Sequence, residues 1–232
     1  MEQVFLTPGP SPDPEKVHQG TNQEKEIKMS NANLTRWSGL SLLLAGIANA
    51  LFWLLVIPIG TFAGAGAVQN SLWLPSQFLH TLAALLALFG LIGLYTCQGE
   101  KNGWLGLTGF VLALFGTGFA LADAVIALVV YPIAAASTPA LVEATGALNM
   151  SPAYIVFAVV AMVGTILFGI ALLLQGKLPR LAISLLILGA ILDNLPPGVV
   201  PMIELIAGGV VWGLGAAWLG LALWSAKADK AI

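Results

Sequence analysis

Five polar residues stand within otherwise apolar stretches and have side chains able to do chemistry there: His80, Asp123, Asp193, Glu204 and Asn49, with Asn194 next to Asp193. An ionisable group at the centre of a bilayer costs roughly 2.5 kcal/mol or more, so each of the four ionisable ones is a candidate functional group from the outset. An acid with no basic partner in lipid can stay protonated, hold a cation, or share a proton with His80. The plain readings are helix-end capping for Asp193, interfacial solvation for Asp123 and Glu204, and a packing histidine at His80. The sharper reading is one small polar site, and it requires these side chains to face one another.

Six apolar runs must do the positioning, at about 38–60, 74–96, 104–132, 153–175, 178–195 and 202–224. The chain is 58% hydrophobic and 9% charged, with a mean hydropathy of +0.92, the composition of a protein whose solvent is largely lipid. A hydrocarbon layer of roughly 30 Å takes about 20 helical residues, and the fifth run is the shortest. All nine Lys and Arg lie on the same side of the runs. Lys16, Lys25, Lys28 and Arg36 precede the first, Lys101 follows the second, Lys177 and Arg180 follow the fourth, and Lys227 and Lys230 follow the sixth. Cytoplasmic segments are the ones enriched in these residues. The expected fold is therefore all-α and polytopic, with six transmembrane helices and both termini inside a bacterial cytoplasmic membrane. Counted from the cytoplasmic ends at about 1.5 Å per residue, Asp123, Glu204 and His80 fall toward the outer side, and Asp193 is the deepest acid.

Repetition organises the six runs. The second ends Tyr95-Thr-Cys-Gln98-Gly99 and the fourth ends Leu174-Gln175-Gly176, while Pro75, Pro152 and Pro201 stand near the starts of the even-numbered runs. Pro58, Pro132 and Pro196 mark the ends of the odd-numbered ones. The chain thus reads as three helical hairpins of one orientation, 37–103, 104–179 and 180–230, forming a transmembrane domain over 37–230. Residues 133–151, Ala-rich and nearly uncharged, form the longest external connection. Trp37, Trp104, Trp224 and Tyr95 are expected as inner interfacial anchors, and Trp73, Tyr131 and Tyr154 as outer ones. Gly209, Gly213 and Gly220, with Ala216 or Ala217 between, make a small-residue stripe for close helix packing, against this chain or another.

The N-terminal stretch differs. Residues 1–36 read as a cytoplasmic tail, disordered through its Pro-, Glu-, Gln- and Lys-rich portion, and Met29 is an alternative start. No secretory signal pattern opens the chain.

Several chemistries lack their residues. Two histidines, one of them in the tail, do not make a bis-histidine haem site or a His-rich zinc centre, so no metal site is expected. No Walker A loop, nucleophile elbow or Rossmann glycine pattern occurs in the right context. No cofactor is legible, and a net charge of −2 gives no reason to expect a nucleic-acid partner. The single cysteine, Cys97, precludes an intrachain disulfide.

The passages Ser76–Tyr95, Gly103–Leu112, Gly176–Ala182 and Gly215–Trp224 resemble those of bacterial six-helix integral membrane proteins with no established activity, His80 among the matching residues. The resemblance runs from Arg36 onward and implies an architecture, without catalytic residues. The simplest functional expectation is a non-catalytic membrane component contacting lipids, a membrane-protein partner or further copies of itself. A small-molecule or ion transporter using the outer acidic residues is the alternative, and an intramembrane enzyme the third.

Overall fold

The computed structural model describes residues 14–60, 64–99, 103–144, 152–195 and 202–225, those at 14–32 and 153 by backbone alone. Within them the chain is helical: α1 (Pro14–Ile59), the short α2 (Ala65–Val68), α3 (Trp73–Thr96), α4 (Gly103–Val125), a π-helical turn (Ile126–Val130), α5 (Tyr131–Ser137), α6 (Pro139–Glu143), α7 (Pro152–Gln175), α8 (Arg180–Asp193) and α9 (Met202–Ser225). Five segments are long and apolar enough to cross a membrane: Asn33–Ile59, Trp73–Thr96, Gly103–Ser137, Tyr154–Gln175 and Met202–Ser225. Their outward faces are as apolar as their inward ones, with Leu44, Ile47, Leu51 and Leu54 exposed along α1. The protein is thus a multi-pass membrane protein. The fifth apolar run gives only the 14 residues of α8, about 21 Å, short of the hydrocarbon thickness.

Two boundaries differ from expectation. The predicted disordered tail is helical from Pro14, because Glu, Gln and Lys are good helix formers and Pro is well placed at a first helical position. Residues 1–13 lie outside the described set. Pro132 does not end its helix either. A π-turn precedes it, in which the Tyr131 N–H donates five residues back to the Ile126 carbonyl, and the chain continues helically to Ser137. Widening the turn is one way for a helix to pass a residue that has no N–H to give. Pro196 and Pro201 lie outside the described residues.

The helices form a closed ring. Each of α1, α3, α4, α7 and α8 packs on the next helix of this series, α8 packs on α9, and α9 returns to α1 with the most extensive contact of all. Glycines bring the backbones together at the α1–α9, α1–α3, α4–α7 and α8–α9 seams. A Cβ at Gly213 would stand 2.6 Å from the Gly46 carbonyl oxygen, and one at Gly90 would stand 2.7 Å from the Leu42 Cβ. Gly109, Gly116 and Gly164 meet the facing backbone between α4 and α7, and Gly189, Gly208 and Gly215 do so between α8 and α9. The Gly209–Gly213–Gly220 stripe faces Trp53, Gly46 with Ala50, and Leu43 with Gly39, all on α1. Its partner is therefore in the same chain.

Asn49 strengthens that seam, donating through Nδ2 to the Gly209 carbonyl at 2.8 Å from a buried position. Side-chain bonds between membrane helices are worth about 0.6 kcal/mol on average and up to about 1.7. Asn49→Ala should lower unfolding free energy in mixed micelles by that range, and unchanged stability would show the bond to be idle.

One half of the ring interior is filled. Leu42, Leu94, Phe168, Ile183, Leu186 and Leu219, from five different helices, form a single apolar layer, closed by Tyr95 stacked on Phe110 at 4.3 Å. Arg36, Lys177 and Arg180 lie at this end, since Gly39 meets Trp224, Gly93 meets Ser38, and the Lys177 ammonium is 3.4 Å from the Cys97 and Gln98 carbonyls. Here Gln175 also donates to the Gln98 side-chain oxygen at 3.1 Å, so the two aligned Gln-Gly endings touch. At the opposite end α2, α5 and α6 pack together over the start of α3, with Trp73 and Val142 buried among alanines. The Glu143 carboxylate accepts the Ala65 N–H at 2.9 Å and ties the two connections together.

Candidate functional site

The half of the ring that the apolar layer leaves unfilled contains a cavity of about 280 Å³, lined from all six helices of the ring. On α3, Trp73, Gln77 and His80 share one face at spacings of four and three. On α4, Gly116, Ala120 and Asp123 do the same, and Ala127 within the π-turn and Tyr131 just beyond it continue the row. Tyr154, Phe157 and Ala158 project from α7, and Asp193 with Asn194 from the end of α8. Phe52 and Trp53 of α1 and Leu205 of α9 complete the wall.

Three of the five polar candidates therefore meet. His80, Asp123 and Asp193 all line the cavity, with Tyr131 and Tyr154 in the same wall. Asn49 is committed to the α1–α9 seam. Glu204 is exposed on the first turn of α9 and does not line the cavity. His80 also stacks on Phe52 at 4.2 Å with ring planes 9° apart, so its ring is positioned by packing as well as open to the cavity.

The three aromatic residues expected as outer anchors all line the cavity. Trp73 is 1% exposed, and Tyr131 and Tyr154 are half-buried in the cavity wall. Trp37, Trp104 and Trp224 at the basic end are exposed. The Trp73 position has a backbone cause. The Ala127 carbonyl loses Tyr131 as donor to Ile126, and the next residue along, Pro132, has no N–H. The Trp73 indole N–H fills the gap at 3.1 Å.

Aromatic rings dominate the remaining lining. Phe119 stacks on Phe157 at 4.2 Å and meets the edge of Tyr154 at 5.8 Å, continuing the surface on the α4–α7 side. Gln77, Tyr131, Tyr154 and these rings were not singled out as site residues from sequence, although helical spacing from His80 and Asp123 points to the first two. The lining contains two carboxyl groups and no Lys or Arg. Among the described residues, no group of three His, Cys, Asp or Glu side chains is disposed to hold a metal ion. The chain matches no family model, no curated protein and no solved structure.

Proposed function

We propose that this protein is a small-molecule transporter of the bacterial cytoplasmic membrane, with its cavity open toward the outside and its cytoplasmic half closed. In this reading the chain crosses six times as three hairpins, with both termini inside. The basic residues of one end support that orientation. The course of α8, from Arg180 at that end to Asp193 at the cavity, supports the sixth passage despite its length. The observation that carries the transport reading is the union of His80, Asp123 and Asp193 in one cavity above a continuous apolar layer. A cavity of this size, largely apolar with three ionisable groups in its wall and a filled layer at one end, is what a small-molecule site reached from one side of the membrane requires. The component reading has less support, because the small-residue stripe of α9 is used within the chain.

Cysteine accessibility tests the proposal. Burial pushes the native Cys97 thiol up to about 11, with the Lys177 charge pulling the other way. Thiolate is the reactive form, so at pH 7.5 only on the order of one molecule in a few thousand reacts, rising about tenfold per pH unit until that value is reached. The wild-type protein should stay unlabelled at neutral pH. Ala120→Cys should react within minutes with a membrane-impermeant maleimide added outside intact cells. Leu172→Cys, in the closing layer, should react slowly, as the inward-open state is visited. Labelling of Ala120→Cys only from the cytoplasmic side would reverse the orientation. Leu172→Cys that stays inert from both sides would rule out transport.

A further inference from the structure

The lining of the cavity discriminates among ligand classes. An anion would meet Asp123 and Asp193 with no Lys or Arg to receive it. A transition-metal ion would need a set of three or more His, Cys, Asp or Glu ligands that the described residues do not assemble. A neutral apolar molecule would suit the rings of Phe52, Trp53, Phe119 and Phe157 but leave two acids without a role.

Position adds a further argument. Asp193 is the last residue of α8, where the unpaired carbonyls of a helix carry partial negative charge. Asn194 Nδ2 satisfies one of them, that of Ala190, at 2.9 Å. A carboxylate placed there adds negative charge to a negative helix end, an arrangement that a cation relieves. Aromatic faces attract cations as well, most strongly when the cation is desolvated. The volume of about 280 Å³ lies near the lower end of small-molecule sites, roughly 300–1,000 Å³.

We infer that the ligand is a small organic cation, a protonated amine or quaternary ammonium on an apolar body, with its charge beside Asp193 and Asp123 and its body against the aromatic wall. This rests on the small-molecule reading above and names the substrate class of that site.

Calorimetry on purified protein in nanodiscs tests it with three probes that share a benzyl group: benzyltrimethylammonium, its uncharged carbon isostere neopentylbenzene, and the smaller anion phenylacetate. The cation should bind at least tenfold more tightly than either of the others. Asp193→Asn should weaken the cation at least tenfold and leave the neutral isostere within twofold, and Phe119→Leu should weaken the cation more than the isostere. Should Asp193→Asn fail to fold, Asp123→Asn and the three-probe ranking on wild-type protein still decide. Equal or tighter binding of the isostere or of phenylacetate overturns the cation assignment and leaves a small-molecule site standing. Binding of none, with Ala120→Cys still labelled from outside, also overturns the assignment alone. Binding of none together with an unreactive Ala120→Cys removes the underlying reading as well.

Discussion

Gly46→Leu should abolish the folded protein, and Gly46→Ala should cost at least about 1–3 kcal/mol, the usual range for overpacking. A Cβ on Gly46 would lie 2.9 Å from the Ala217 Cα and collide with the Gly213 carbonyl oxygen. These are backbone atoms, which no rotamer change moves aside. The opposing position is equally tight, since a Cβ on Gly213 meets the Gly46 oxygen at 2.6 Å and Ala50 at 3.1 Å. Relief therefore requires α1 and α9 to separate, and that would break the most extensive contact of the ring and the Asn49–Gly209 bond with it. The expected readout is loss of monodisperse protein in mild detergent for the leucine variant and a lowered melting temperature for the alanine variant. Gly118→Ala is the control. It sits in α4 with nothing within 4 Å of its Cβ, and its effect should stay within about 0.5 kcal/mol. A Gly46→Leu protein that melts with the wild type would mean that α1 and α9 do not pack as described.

Trp73→Ala should be nearly as damaging, with an expected loss of about 3–5 kcal/mol, as for large aromatic residues removed from a core. The side chain is fully buried, packs beside Tyr131 with centroids 6.3 Å apart, and holds the α2–α5–α6 layer to the start of α3. Trp73→Phe separates packing from hydrogen bonding. It keeps a ring but leaves the Ala127 carbonyl without its donor, at a cost of about 1–3 kcal/mol. Pro132→Ala offers that carbonyl an N–H at the spacing already set by the Tyr131–Ile126 bond. The cost of Trp73→Phe should consequently shrink by about 1 kcal/mol in the Pro132→Ala background. Strict additivity in this double-mutant cycle would show that the indole and the proline are unrelated.

The long apolar helices were legible because lipid demands continuous apolar runs, and any helix in it must bond its own backbone internally. The shortness of α8 was visible in its run as well. Other features depended on partners that a linear pattern does not name. The Gly209–Gly213–Gly220 spacing says that a backbone comes close, and only the ring closure shows that it belongs to α1. Trp73 near a helix start resembles an interfacial anchor until the vacant carbonyl of Ala127 is seen. Pro132 signals a helix end when a π-turn is not anticipated. The Pro-, Glu-, Gln- and Lys-rich composition of the tail suggests disorder, although Glu, Gln and Lys also favour the helix that runs from Pro14.

For the site, depth counting sets His80, Asp123 and Glu204 toward the outer side and Asp193 deeper, so it groups Glu204 with the cavity residues and parts Asp193 from them. Rotation about the helix axis sets Glu204 apart. Glu204 turns outward while Leu205, one residue on, lines the cavity. Asn49 similarly faces α9, three residues before Phe52 reaches the cavity.

The helices follow one another around the ring in chain order, and Gly39 near the start of the first span lies against Trp224 near the end of the last. The architecture is therefore circularly permutable in principle. A linker joining the segment before Arg36 to the one after Ser225, with new ends opened at Gly176–Pro179, would keep every helix beside its present neighbours and leave the cavity wall uncut.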